Sequence, residues 1–200
     1  MPADYLFIVR HGETQDNEKD IEAGPLPIPL ARKGRKDARF ISEALEDVEI
    51  SGVYSSPILR AVQTARILAR PHGLKVKTLE GLTEAKIKSK FVGKKGRHHI
   101  LSSPEAYDET NSDLLRRTAE AVKTIHAESK GNVIVVSHGD VITAILENVV
   151  ERRVSSERYY VFHPEPASLS IVETKDRPFL HLYNYHRKLL APYQSDSRAK

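Results

Sequence analysis

The apolar positions of this chain follow two rhythms in turn. Short apolar runs at residues 5–9, 50–54 and 132–136 have the length and β-branched content of buried strands. Between them the period lengthens. Residues 33–47 place Ala38, Ile41 and Leu45 on one face, the spacing of an amphipathic helix. Ser56 then Pro57 reads as an N-cap followed by a proline at the first helical position. Ala61, Ala65 and Leu68 continue that helix, and Pro71 with Gly73 ends it. Residues 75–79 alternate as a short strand. Residues 112–129 carry Leu115, Ala119, Val122 and His126 on one stripe, and residues 139–149 are apolar nearly all round, as in a buried helix. Two late strands, 167–173 and 179–183, read as a hairpin-like pair at one edge.

Strand and helix alternate, which predicts a parallel sheet covered by helices on both faces. The expected fold is α/β: a three-layer α/β/α sandwich whose central sheet is mostly parallel with one antiparallel edge strand. No repeat or linker interrupts the 200 residues, so one domain is expected over 1–200, with a polar tail at 193–200. Residues 81–108 carry no clear period and contain Gly93, Gly96 and Pro104. A long excursion of this kind in a compact domain is usually functional.

Composition narrows the class. Hydrophobic residues at 40% and charged residues at 29% describe a folded globular chain. The longest apolar runs, 133–136 and 141–146, are too short to cross a bilayer. The start MPADYLFIVR has an acid where a signal peptide needs bases. The absence of cysteine excludes disulfides and thiolate metal sites, and it fits a reducing compartment. A cytoplasmic protein without a membrane partner is therefore expected. The net charge of +4 is modest, but KIKSKFVGKKGRHH, residues 86–99, gathers six Lys and Arg without an acid. A solvated loop is the ordinary explanation of such a run. An electropositive rim over an anion site is the sharper one. Phe91 is the one aromatic there, so base stacking has little support and no nucleic-acid partner is expected.

The chemistry gathers where strands end, since ligands of such sheets bind outside the carboxyl ends of the strands. The first strand ends in Arg10-His11-Gly12. The second ends in Ser55-Ser56-Pro57, with Arg60 one turn on. The strongest late strand ends in Ser137-His138-Gly139. Each signal is weak alone; together they place two histidines and two arginines at one sheet edge. Glycine lets backbone N–H groups come close to a ligand. Helix N-termini at this edge favour negative charge. Arginine offers a fork that fits phosphate oxygens. A metal is the rival use of paired histidines, but two arginines oppose a divalent cation and no ligand spacing such as HExxH occurs. No metal is expected.

In that order, "RHGETQDN", "SSPILRAVQTA" and "VVSHGDVI" resemble the histidine phosphatase superfamily, the phosphoglycerate mutase-like family, over residues 5 to about 172. The resemblance implies a phosphohistidine mechanism. His11 would be the nucleophile, and Arg10, Arg60 and His138 would hold the phosphoryl group. Asn17 matches an asparagine near the phosphate, and Gly139 would add a backbone donor. The acid would be Glu84 in "LEGLTEAK", with Glu80 as the competitor. "DETNSDLLRR" resembles a degenerate Glu-Ser segment with a downstream arginine, through Glu109, Thr110 and Arg117. The catalytic set is then His11, Glu84 and His138, and the substrate rim Thr14, Lys86, Lys94, Lys95 and Arg97.

Physical chemistry points the same way. Neighbouring cations keep His11 unprotonated and nucleophilic. A departing alkoxide needs a proton, hence a carboxylic acid across the phosphate. A module that only binds phosphate needs no such acid. The segment "EAKIKSKFVGKKG" lacks both the Arg-x-Tyr-Gly of the family's glycolytic mutases and the FGxWEG of its phosphatases. The expectation is a cofactor-free phosphomonoesterase acting on small phosphorylated metabolites. The alternative is a phosphoglycerate mutase primed by bisphosphoglycerate. The oligomeric state stays open, a homodimer included.

Overall fold

The structure is a computed structural model and describes residues 3–149, 164–174 and 178–187. The expected polar tail at 193–200 lies outside these residues. The elements are β1 (Ala3–Arg10), α1 (Gln15–Glu18), α2 (Arg32–Ala44), β2 (Gly52–Ser55), α3 (Leu59–Ala69), β3 (Val76–Thr78), α4 (Arg97–Leu101), α5 (Asn111–Glu128), β4 (Gly131–Ser137), α6 (Gly139–Val149), β5 (Leu169–Glu173) and β6 (Phe179–Tyr185). The strands form one sheet in the order β3-β2-β4-β1-β5-β6.

β1 to β4 run parallel, β5 pairs antiparallel with β1, and β6 pairs antiparallel with β5. The sheet is thus mostly parallel, as expected, with β5 as the strand that runs against the rest. It lies one place in from the edge. The connection to β6 is too short for a crossover, so the two pair as a hairpin and β6 takes the edge.

Alternate residues of the central strands enter two cores. Leu6, Ile8, Tyr54, Val133 and Val135 pack with Leu114, Ala121 and Ile125 of α5 and Val141, Ile142 and Ile145 of α6. Phe7, Val9, Val53, Ile134 and Val136 pack with Ile41 of α2 and Ala61, Ala65 and Leu68 of α3. Helices therefore cover both faces, and β1 and β4 are apolar without alternation because both their faces are buried. Among the described residues, no helix is long and apolar enough to cross a membrane.

The excursion is built into the first core through Leu82, Ala85, Ile87, Ile100, Ala106 and Tyr107. It consists of α4 and single 3-10 turns at Glu80–Leu82, Ser89–Phe91 and Pro104–Ala106. One-turn pieces cannot show a helical period, which is why none is legible.

Register places the site. Arg10 lies beside Ser137, and Ser55 beside Val136. The backbone bonds continue one residue past the strands, from His11 N–H to Ser137 O (2.9 Å) and from Ser56 N–H to Val136 O (3.0 Å). Three strands thus release His11, Ser56 and His138 at one level. One expectation fails here. Ser56 does not cap α3, whose N-cap is Ile58 with no side-chain bond. The chain makes a further bend after β2, and the Ser56 hydroxyl is turned to other partners.

Candidate active site

His11 is buried where β1 ends, with Nδ1 2.8 Å from the Gly12 carbonyl oxygen. A ring nitrogen facing a carbonyl carries the proton, so the lone pair sits on Nε2. Nε2 accepts the Nε–H of Arg60 at 3.2 Å. Arg60 is buried on the first turn of α3; its Nη2 donates to Gly24 O (2.9 Å) and its Nη1 to Leu26 O (3.3 Å). Arg10 is fixed from another side by its Nη1 donating to Pro164 O at 2.6 Å. The His11 and His138 rings stand edge-on with centroids 5.1 Å apart. His138 Nε2 lies 2.8 Å from Ser56 Oγ, and its Nδ1 lies 3.6 Å from Glu84 Oε2.

The electrostatics suit an anion. Burial, then Arg60, then Arg10 push His11 well below the usual histidine range. Burial, Arg60, His11 and Arg10 do the same to His138. Arg10 itself is lowered to about 10, by burial and then by Arg97. Both imidazoles are therefore neutral at physiological pH, inside a ring of guanidiniums. His11, Glu84 and His138 also bring one ligand atom each within 4.8 Å of one another. A divalent ion could use that spacing, but buried guanidiniums on the same groups raise the cost of a cation and lower that of an oxyanion.

The neutral histidines have a consequence for stability. Their folded pKa values lie below the unfolded value of about 6.5, so the unfolded chain binds more protons once pH falls under that value. Stability present above about pH 6.5 should drain away as pH drops toward the folded values. The slope is roughly 1.4 kcal/mol per pH unit for each histidine. His72 and His126, also lowered by burial, share the sign, whereas Glu22, raised by burial, opposes it. Urea midpoints at pH 7.5, 6 and 5 should fall in that order; a rise toward pH 5 would contradict the balance.

Other sequence candidates fall differently. Glu84 lies beside His138, whereas Glu80 is exposed and takes a bond from the Thr83 hydroxyl at 3.4 Å. Glu109 and Arg117 form a bidentate pair (2.5 and 2.9 Å). That pair grips the loop of the acid: Arg117 donates to Gly81 O (2.8 Å) and Glu84 O (3.3 Å), and Glu109 accepts from Lys86 N–H (3.3 Å). Thr110 caps α5 instead. Thr14, expected at the rim, is fully buried as the N-cap of α1. Its N–H and hydroxyl both donate to Asn17 Oδ1 (3.1 and 3.0 Å), which leaves the Asn17 Nδ2 amide as the group able to donate to an anion.

Gly12 also departs from expectation. Its N–H donates to Thr64 Oγ1 (3.0 Å), so it is not free for a ligand. Glycine is required because a Cβ there would stand 2.6 Å from the Gly34 carbonyl oxygen of α2. Gly139 sits at the start of α6, where a Cβ would make ordinary contact with Arg10.

Of the basic stretch, Lys86, Lys94 and Lys95 are exposed. Lys86 flanks an open groove of about 440 Å³ that also includes Glu84, Arg117 and Glu120. Arg97 turns inward. Its Nε lies 3.3 Å from Oε2 of the buried Glu22, and its charge helps lower Arg10 and His11. A backbone bridge between Ile21 and Lys95 carries it there. Sequence reasoning missed Glu22, whose Oε1 accepts the Gly24 N–H at 2.8 Å. It also missed the role of Ser56. Glu22 lies in no local pattern that marks it, and the local pattern at Ser56-Pro57 points to a helix cap.

The chain belongs to the histidine phosphatase superfamily (branch 1), whose sequence profile matches residues 6–185. It is 28% identical over 180 residues to a 2,3-bisphosphoglycerate-dependent phosphoglycerate mutase of Thermoplasma acidophilum, covering 84% of this chain and 86% of that one. It is 27% identical over 164 residues to the adenosylcobalamin/alpha-ribazole phosphatase of Escherichia coli, covering 72% and 78%. Its fold matches that of a mycobacterial glucosyl-3-phosphoglycerate phosphatase solved with VO3, with a TM-score of 0.79 at 23% identity over 91% of this chain and 99% of that one. The chain is thus an enzyme of the histidine phosphatase type, and its relatives include phosphatases and mutases.

Proposed function

We propose that this protein is a phosphomonoesterase for small phosphorylated metabolites that works through phosphohistidine. The observation that carries the reading is the Nε2 lone pair of His11, buried against Arg60, with the Glu84 carboxyl near the facing His138. The His11 Nε2 lone pair leaves the Arg60 Nε–H and attacks phosphorus as the ester P–O bond breaks, and Glu84 gives its proton to the departing alkoxide. Water then attacks the phosphohistidine, Glu84 takes a proton from it, and the P–N bond breaks to return His11. Arg10, Arg60, Asn17 and the His138 ring hold the phosphoryl oxygens, since phosphoryl transfer needs position and charge more than covalent help. Gly139 adds its backbone donor at the start of α6. Arg97, with Lys86, Lys94 and Lys95 outside it, favours substrates that carry further negative charge.

The reaction as drawn needs neither metal nor cofactor. EDTA should leave turnover unchanged, and vanadate or inorganic phosphate should inhibit. The second reading, a mutase, is favoured by the relatives that bear that name; there bisphosphoglycerate would prime the enzyme. A panel of phosphate esters separates the two, with 3-phosphoglycerate tested with and without that primer. Phosphate release supports the phosphatase; isomerisation dependent on primer would overturn it.

Glu84→Gln should slow alkyl phosphates far more than aryl phosphates, because an aryl oxide leaves with little need of a proton. The ratio of the two losses in kcat is the measurement. Equal losses would move Glu84 to the water-activating step alone.

A further inference from the structure

Ser56 and His138 are both fully buried, and their contact is 2.8 Å between Oγ and Nε2. Either atom could donate. A second bond decides. The Ile58 N–H donates to the same Oγ at 3.2 Å, which occupies one lone pair of the hydroxyl and supplies no acceptor for its hydrogen. If His138 Nε2–H also donated to Oγ, the hydroxyl hydrogen would be buried with nowhere to go, at a cost comparable to a lost hydrogen bond. The ring would then turn the bare Nδ1 lone pair toward the Glu84 carboxylate oxygen 3.6 Å away. The other arrangement gives the hydroxyl hydrogen an acceptor and turns an N–H, not a lone pair, toward the carboxylate. Ser56 O–H donates to Nε2, and Nδ1–H faces Glu84 and the space between the two histidines. Among the described residues Nδ1 is buried without a hydrogen-bond partner, which leaves it open to one from the substrate side.

We infer that Ser56 is a positioning residue that fixes His138 as the Nδ1–H tautomer and so makes it a permanent donor to the phosphoryl group. His138 on this account moves no proton during turnover. It presents one N–H to a phosphoryl oxygen while the group sits on the ester and while it sits on His11. Burial, and after it the guanidinium of Arg60, keep the ring neutral, and a neutral imidazole has a single N–H to place, so the choice of tautomer decides whether it greets an oxyanion with a hydrogen or with a lone pair. The serine at the end of β2 thus acts on the substrate without touching it. That explains why the chain bends once more before α3 instead of using Ser56 as the helix cap.

The tautomer belongs to the ligand-free protein and does not depend on the phosphatase reading, whereas the effect on turnover does. The test is nitrogen NMR of protein labelled with ring-15N histidine, with the His138 signals assigned by their loss in His138→Gln. Wild-type protein should show Nδ1 protonated and Nε2 unprotonated at pH 7.5. Nε2 protonated in the wild type would overturn the inference, and this result requires no variant to fold. Ser56→Ala should then show a mixture of tautomers and lose about tenfold in kcat, the scale of one hydrogen bond. An unchanged tautomer in that variant would equally sink it. If the tautomers behave as stated but neither protein turns over any phosphate ester, the proposed function fails and the role of Ser56 as tautomer setter stands.

Discussion

His11→Ala should abolish turnover and the acid-labile phosphoenzyme together. The proposed nucleophile is a lone pair whose position is fixed twice: by the Gly12 carbonyl, which holds the proton on Nδ1, and by the Arg60 Nε–H, which meets Nε2 at 3.2 Å. Among the described residues, no other side chain at the site has an equivalent nitrogen. His138 is the nearest candidate, but its Nε2 is committed to Ser56 and its Nδ1 faces Glu84. The expected loss is on the order of a million-fold in kcat, the scale on which an enzyme loses a covalent nucleophile. Labelling with a phosphate ester carrying radioactive phosphorus checks it directly: wild-type protein should trap label that survives base and is released by acid, and the variant should trap none. Normal labelling of the variant would transfer the nucleophile to another residue.

Arg60→Ala should cost roughly 2.7–4 kcal/mol of transition-state stabilisation, the scale of a missing charge-stabilising donor. Three contacts explain why lysine should rescue it poorly. One guanidinium reaches His11 through Nε while its two Nη groups grip the carbonyls of Gly24 and Leu26. A lysine restores the charge but cannot span those directions at once. Near-normal kcat in Arg60→Lys would mean that charge alone suffices and that the fork has no role. Because Arg60 is buried, thermal melts of both variants are needed beside the kinetics, so that a loss of folded protein is not scored as a loss of chemistry.

The parts of the site that lie at strand ends were legible because their placement is local. "RHG" and "SHG" follow apolar runs that must be central strands, and parallel neighbours bring such ends to one level. The two-core arrangement was legible for the same reason: runs without alternation belong to strands covered on both faces. What escaped depends on contacts between distant segments. The bridge from Ile21 to Lys95 is what turns Arg97 and Glu22 toward the phosphate site and leaves Lys94 and Lys95 in solvent. Six basic residues in one stretch look alike until that pairing sorts them. Thr14 was misread for a different reason. Thr14-Gln-Asp-Asn17 is a reciprocal cap in which threonine and asparagine satisfy each other at a helix start, and that use competes with any role at the rim. At Ser56 the local rule for a cap pointed to α3, and the need of a buried imidazole for a partner overrode it.

The contact between Gly12 and Gly34 blurs the border between scaffold and catalyst. α2 carries none of the proposed site residues, yet a methyl at Gly34 would overlap the backbone of Glu13 and one at Gly12 would strike the carbonyl of Gly34. Two backbones are therefore fitted together directly behind the nucleophile, with no side chain between them to yield. Any substitution that enlarges position 34 must push the His11–Gly12 turn outward or lift the helix away. A displacement of the first kind would carry His11 off its line to phosphorus while leaving every catalytic side chain intact. A side chain at position 34 should therefore slow the proposed reaction from outside the set of residues proposed to carry it.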